Sequence, residues 1–274
     1  MHHPLFESVV LPLLLSVAGI GLLRLIAGPR RASAGVGLAV LLATIWMLGW
    51  SSRPAGMMQK LPWIFAGAWL LGAAFETALV NRLLQWLGLV CGWIVACWWL
   101  GSAGIASSIF YVIVGAWVLA CLVWPPDDRA EAATGLVVGS LGLAGICLIA
   151  GSLALFQLCI LLAAAVGGMA LWLWPTPRVR FGITGIAVAG IAWLALAQAA
   201  LLLVPARLPA LALLAASFAA APLLVKLWPA NRPRSGPLAA AFLAGALAAG
   251  ALAIQAGSGA PVGEGRDDGG YYRN

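Results

Sequence analysis

The chain has 274 residues, of which 64% are hydrophobic and only 8% are charged, whereas an ordinary soluble domain carries about 25% charged residues. With a mean hydropathy of +1.04, this composition excludes a soluble globular protein, a disordered chain and a small disulfide-stabilised secreted domain. We therefore expect an all-α integral membrane protein, a helix bundle that crosses the lipid bilayer many times.

Ten apolar segments of the sequence approach the ~20 residues that a helix needs to cross the bilayer core. They lie at roughly 6–27, 34–50, 62–80, 83–101, 104–124, 134–150, 153–174, 181–204, 208–228 and 237–256. Residues 134–174 form one apolar stretch of 41 residues, too long for a single span, and we expect a tight turn at Gly151-Ser152. The second segment is short, and only residues 101–104 separate the fourth from the fifth, so eight or nine spans are the alternatives to ten.

The predicted helices leave room only for short loops and for no soluble domain. We expect one transmembrane helical domain over residues 1–257 and a flexible polar tail over residues 258–274, which are rich in glycine and charge. Tyr271-Tyr272 in that tail is a candidate contact for a partner membrane subunit.

Three Trp-Pro pairs begin at Trp124, Trp174 and Trp228, and each is followed within a few residues by arginine. The pairs are 50 and 54 residues apart, about the length of one helical hairpin. Tryptophan favours the headgroup layer of a membrane, and proline ends a helix. The pattern predicts three helices that leave the membrane on the same face.

The positive charge is concentrated on that face. Ten of the 15 Lys and Arg residues fall there, namely Arg24, Arg30, Arg31, Arg82, Arg129, Arg178, Arg180, Lys226, Arg232 and Arg234. The other five are Arg53, Lys60, Arg207, Arg266 and Arg273. Short cytoplasmic loops carry the excess of Lys and Arg, which predicts that both termini are extracytoplasmic in a bacterial-type inner membrane. This distribution accounts for the net charge of +7 without a nucleic-acid partner.

The sequence offers few groups for catalysis or metal binding. The two histidines, His2 and His3, lie at the N-terminus and outside every apolar segment, whereas haem ligation, histidine-based zinc sites and Ser-His catalysis need an imidazole at depth. The five cysteines lie in apolar segments without a CxxC pair, and we expect free, buried thiols at Cys91, Cys97, Cys121, Cys147 and Cys159. We expect no catalytic residue, metal or cofactor.

Glu76 is the best candidate for a functional side chain, because ionisable residues within membrane spans are functional candidates by default. Gly72 and Ala73 precede it by four and three residues, so they share its helix face and allow another helix to approach closely. We expect Glu76 to face the bundle, roughly 7–8 Å from the cytoplasmic end of its helix. The alternative is a carboxylate that extends to the membrane surface.

Few neutral polar residues occur in the predicted spans, namely Gln157, Thr184, Gln198, Ser217 and Gln255. We expect the amides among them to join helices by hydrogen bonds. Pro222 predicts a distorted helix near Ser217 and Phe218.

Three function classes remain. The first is a transporter, whose solute would be small and apolar or amphipathic because the spans are poor in polar groups. The second is an accessory or assembly subunit of a larger membrane complex. A membrane-bound enzyme is the least favoured class.

Overall fold

The structure, a computed structural model, describes residues 6–29, 31–78, 80–101, 104–125, 130–173, 178–220, 222–223 and 236–257. Within these ranges the chain forms helices and turns and no strand. The α-helices are α1 Leu11–Ala27, α2 Ala34–Leu48, α3 Met57–Ala78, α4 Arg82–Leu100, α5 Ile105–Val123, α6 Glu131–Ile149, α7 Leu153–Leu173, α8 Ile183–Leu203, α9 Leu208–Ala216 and α10 Gly236–Ala256. A π-helical turn, Phe6–Val10, precedes α1.

The predicted all-α class is confirmed. Seven of the ten predicted spans form helices that are long and apolar enough to cross a membrane, and the other three form shorter apolar helices. The shorter helices are Ala34–Leu48, Ser107–Val123 and Leu208–Ala219. Large apolar side chains also cover much of the outer surface, including Leu25, which is 85% exposed, and Phe242, which is 81% exposed. Such a surface suits contact with lipid.

The turn expected between α6 and α7 is present. Gly151 has a φ of 83°, a left-handed conformation that glycine adopts without steric cost. The amide of Ser152 donates to the carbonyl oxygen of Cys147 over 2.9 Å, which ends α6 and reverses the chain. The apolar stretch is therefore an antiparallel helical hairpin.

Two helices, α3 and α9, differ from their predicted spans in ways that local structure explains. α3 begins at Met57 rather than at residue 62, and it contains Pro62. The Gln59 side-chain oxygen accepts from the amide of Ala55 over 3.1 Å and stabilises this added turn. α9 changes from α-helical to 3₁₀ geometry at Ser217–Ala219, so the distortion predicted upstream of Pro222 is confirmed.

α8 is the central helix of the bundle, because 78% of its most apolar stretch is buried. It packs against α2, α3, α4, α5, α6 and α7. α3 packs along one side of α8. α6 packs against both α7 and α10, and these three helices form a separate group. The sites described below lie at the two ends of this helix.

Contacts between helix ends show that the helices alternate in direction. At one end, the guanidinium carbon of Arg24 lies 5.6 Å from the centroid of the Trp172 ring, joining the ends of α1 and α7. We call this the Glu76 end, since α3 also ends there. At the opposite Gln198 end, Lys60 donates to the carbonyl oxygen of Trp99 over 2.7 Å.

The two ends also differ in the number of Lys and Arg side chains. Among the described residues, the Glu76 end carries Arg24, Arg31, Arg82, Arg178 and Arg180, and the Gln198 end carries Arg53, Lys60 and Arg207. The start of α1 and the end of α10 both lie at the Gln198 end. His2, His3, the Trp-Pro pairs at Trp174 and Trp228, and the tail lie outside the described residues.

Candidate functional site

Glu76 lies where three helices converge. It is half-buried in the last turn of α3. Ser33, the residue immediately before α2, has its hydroxyl oxygen 3.5 Å from Oε1 of Glu76. Thr184, in the first turn of α8, donates its hydroxyl hydrogen to Oε2. The carboxylate therefore connects α3 to both α2 and α8.

The helix termini explain why a carboxylate is stable at this point. The carboxyl end of α3 disfavours a negative charge, whereas the amino ends of α2 and α8 favour one. Each of those amino ends also supplies a hydroxyl donor, and hydrogen bonds to an ionised group are stronger than neutral ones. The amino ends of α2 and α8 thus stabilise the negative charge of Glu76, and the carboxyl end of α3 destabilises it.

Gly72 allows this convergence. A Cβ atom added at Gly72 would lie only 2.6 Å from the Cα of Thr184 and 3.0 Å from the Cβ of Ala187. Any side chain at this position would push α3 away from α8 and separate Glu76 from Thr184. The close helix contact expected on the Gly72 face is thus a contact with α8.

Glu76 is closer to its helix end than predicted. α3 ends at Ala78, and Asn81 already begins α4 by accepting a hydrogen bond from the amide of Leu84 over 2.9 Å. The predicted span ran to residue 80 because Leu79 and Val80 are apolar. The cap at Asn81 leaves no room for that extra length, so Glu76 is in the last turn of α3.

A cleft of about 520 Å³ opens beside Glu76 at this end of the bundle. Its polar lining includes the exposed side chains of Arg31, Arg180 and Thr77, and its apolar lining includes Phe75 and Ile183. The remaining lining residues are Val80, Gln85, Val123, Gly182 and Ile186. The cleft is therefore amphipathic, with two guanidinium groups and one carboxylate along its walls.

Arg82, near this cleft, connects the start of α4 to the end of α5. Its guanidinium donates to the carbonyl oxygens of Trp124 and Pro125 over 2.7 and 3.1 Å. These carbonyls follow the last residue of α5, where a cation is favoured by the helix dipole. The Trp124-Pro125 pair thus marks a helix end, as its sequence predicts.

A second buried carboxylate was not a candidate from the sequence. Glu131 is only 5% exposed and begins α6. Glu131 packs against Gly236, the first residue of α10. A Cβ atom added at Gly236 would lie only 2.7 Å from Oε1 of Glu131. Glu131 lies three residues before the predicted start of this span at residue 134 and is therefore outside the predicted span. An acidic residue shortly before an apolar segment is the signal that indicates a charged first turn.

Two of the predicted polar residues join helices at the Gln198 end. Gln198 donates to the carbonyl oxygens of Cys97 and Gly101, at the end of α4, over 3.2 and 2.7 Å. Gln255, near the end of α10, accepts from the amide of Arg207 over 2.9 Å. These amides act as the sequence predicted, as links between helices.

All five cysteines are free in the structure, as predicted, and four of them are buried. The prediction of a buried thiol is wrong for Cys91, which is exposed on α4. The Cys147 and Cys159 thiols, on α6 and α7, lie close to each other. Across the part of the chain that the structure describes, no group of three His, Cys, Asp or Glu side chains is placed to hold a metal ion.

No protein-family model matches the chain, and no curated protein matches it. The fold and the site define a class by themselves: an all-helical protein with several helices suited to crossing a membrane, and with a polar cleft at one end of the bundle.

Proposed function

We propose that the protein is a transporter of a bacterial-type inner membrane and that a small amphipathic solute enters it through the Glu76 cleft. The observation that carries this proposal is the convergence of α2, α3 and α8 on one carboxylate at the wall of a 520 Å³ cleft. Ionisable side chains within membrane proteins commonly mark solute and proton pathways.

The helix arrangement supports the same function. Transporters often bind charged groups of their solutes where helix termini meet. Here the amino ends of α2 and α8 meet beside the cleft, and α8 then runs through the centre of the bundle. A solute that binds at the Glu76 end thus contacts the helix that packs against most of the others.

The lining of the cleft indicates the kind of solute. Arg31 and Arg180 offer charge-assisted hydrogen bonds to a carboxylate, phosphate or sulfonate. Phe75 and Ile183 offer an apolar wall of a few side chains. The combination favours a molecule with one anionic group and a short apolar body.

Glu76 is proposed as the group that couples solute binding to a proton. The hydroxyls of Ser33 and Thr184 donate to the ionised carboxylate. Protonation removes the charge that these bonds and the two helix termini favour. The contact of α3 with α2 and α8 then weakens, which provides a physical link between protonation and helix movement.

We propose that the Glu76 end is cytoplasmic, in line with the excess of Lys and Arg on that face. The cleft is then open to the cytoplasm. Both termini, at the Gln198 end, are then extracytoplasmic.

A second candidate function is an accessory or assembly subunit of a membrane complex. The outer face of α4 supports it, because Trp98 is 84% exposed and Val95 is 65% exposed on a helix of which only 28% is buried. Tryptophan is enriched in the buried centres of protein interfaces. A partner helix on this face would cover both side chains.

The test is transport of radiolabelled hexyl phosphate into liposomes that contain the purified protein. We expect protein-dependent uptake that a pH gradient changes, and loss of that pH response in Glu76→Gln. Glu7→Gln is the matched control, because Glu7 is a carboxylate at the opposite end of the bundle. The transporter proposal fails if uptake is absent while the protein is folded. Purification in mild detergent with a second protein in fixed proportion would favour the subunit.

A further inference from the structure

A second cavity lies at the Gln198 end, on the opposite half of α8 from Glu76. Gln198 and Thr184 are separated by 14 positions, or about 21 Å along a helix. The cavity has a volume of about 30 Å³, above the roughly 10–15 Å³ that a cavity needs to hold one water molecule. Its lining includes Trp93, Phe110, Tyr111, Trp193 and Gln198. Four of these five side chains are aromatic.

Gln198, one of the residues that line this cavity, carries a buried acceptor. The side chain is 1% exposed, and its Nε2 donates to the carbonyl oxygens of Cys97 and Gly101 at the end of α4. These two acceptors determine the orientation of the amide, because Oε1 cannot donate to them. Among the described residues, no donor lies within hydrogen-bonding distance of Oε1. Buried acceptors normally have a hydrogen-bond donor, so we expect a bound molecule to supply one to this oxygen.

The cavity has a side that faces outward from the bundle. Phe110 and Val114 on α5, Leu201 on α8 and Ala212 on α9 are only partly buried. All four are apolar, and they lie on helices whose outer surfaces suit lipid. An apolar chain that approaches from the bilayer would therefore pass between α5 and α9.

We propose that this cavity, the Gln198 cavity, binds the head group of an amphipathic molecule that enters from the bilayer and donates a hydrogen bond to Oε1 of Gln198. Its volume admits a group the size of a hydroxyl or an ammonium. The aromatic lining suits either group, since ring faces also attract cations. The rest of the ligand is an apolar chain along Val114, Leu201 and Ala212. This proposal is independent of transport through the Glu76 cleft.

The test uses a diazirine analogue of 1-octanol and the protein in phosphatidylcholine nanodiscs, whose headgroups carry no hydrogen-bond donor. After illumination, peptide mapping should place adducts on the segments of α5, α8 and α9 that line the cavity. Unlabelled 1-octanol or octylamine should compete, whereas octane should not. Stronger competition by octylamine assigns an ammonium ligand, and stronger competition by octanol assigns a hydroxyl ligand.

Three variants distinguish the effect of the Gln198 amide on binding from an effect on folding. Gln198→Leu should reduce labelling about tenfold, the effect of roughly 1.4 kcal/mol. Ala212→Leu should reduce it as well, because it narrows the outward side and leaves both Gln198 hydrogen bonds in place. Gln157→Leu, which removes an amide from α7 away from this cavity, should label as the unmodified protein does.

The proposal is overturned if octane competes as well as octanol, or if either Gln198→Leu or Ala212→Leu labels at the unmodified level. If Gln198→Leu does not fold, Ala212→Leu alone decides the outcome.

Discussion

Thr184, in the first turn of α8, donates its hydroxyl hydrogen to the carboxylate of Glu76, in the last turn of α3. The two residues are 108 positions apart in the chain. This bond connects the central helix of the bundle to the wall of the cleft. Changing either partner therefore tests both the packing of α3 and the proposed role of the carboxylate.

Removing the Thr184 hydroxyl should destabilise the protein. Thr184→Val keeps the shape of the side chain but leaves one carboxylate oxygen without this donor, and hydrogen bonds to charged groups contribute about 1.5–3 kcal/mol. We expect a lower unfolding temperature in detergent. Thr184→Ser retains a hydroxyl and should recover most of the loss. Equal stability of Thr184→Val and the unmodified protein would contradict the contact.

Replacing Glu76 distinguishes a bundle-facing carboxylate from one that only extends to the membrane surface. Glu76→Leu leaves the hydroxyls of Ser33 and Thr184 without their acceptor, so we expect a clear loss of stability. Glu76→Gln keeps an acceptor oxygen and should fold with a smaller loss. If the carboxylate only extends to the membrane surface, Glu76→Leu should leave the stability unchanged or increase it. Thermal unfolding of the two variants side by side decides between them.

A single methyl group at Gly72 should disturb the contact of α3 with α8. Gly72→Ala places a Cβ atom 2.6 Å from the Cα of Thr184, and overpacking of this kind costs about 1–3 kcal/mol. Gly67→Ala is the matched control on the same helix, because a Cβ atom there meets nothing within 4 Å. We expect Gly67→Ala to be neutral or slightly stabilising, since alanine favours helices. Similar melting temperatures for the two variants would argue against the close packing.

The proposed orientation predicts the location of the C-terminus. Alkaline phosphatase fused after Asn274 should be active, because it folds only outside the cytoplasm, and a fluorescent protein fused there should stay dark. The same pair of reporters fused after Pro125, at the Glu76 end, should give the opposite result. An inverted pattern at both sites would place the cleft on the extracytoplasmic side.

The thiol arrangement predicts selective cross-linking. The untreated protein should contain five free cysteines by non-reducing mass spectrometry. Copper–phenanthroline should then link Cys147 to Cys159, because these two thiols lie close to each other across the α6–α7 hairpin. Cys147→Ser should abolish that link. A link between Cys91 and Cys97 would contradict the continuous helix α4, because side chains six positions apart point to different faces.

The positions of the helices follow from local features of the sequence. Apolar length sets each span, and Gly151 ends α6 through a conformation that needs no distant partner. The distortion upstream of Pro222 is equally local, because proline removes a hydrogen bond within its own helix. For this reason the predicted spans agree with the observed helices to within a few residues for most of the chain.

The partners of the polar side chains depend on how the helices pack. The hydroxyls of Ser33 and Thr184 reach Glu76 from positions 43 and 108 residues away, and no periodicity encodes those distances. The burial of Glu131 and the orientation of Gln198 likewise arise only when α10 and α4 pack beside them. Apolar surface is interchangeable among spans of similar composition, whereas a hydrogen bond needs one donor and one acceptor at a defined distance. The sequence therefore shows which residues are polar within the bundle, and the tertiary structure shows which of them meet.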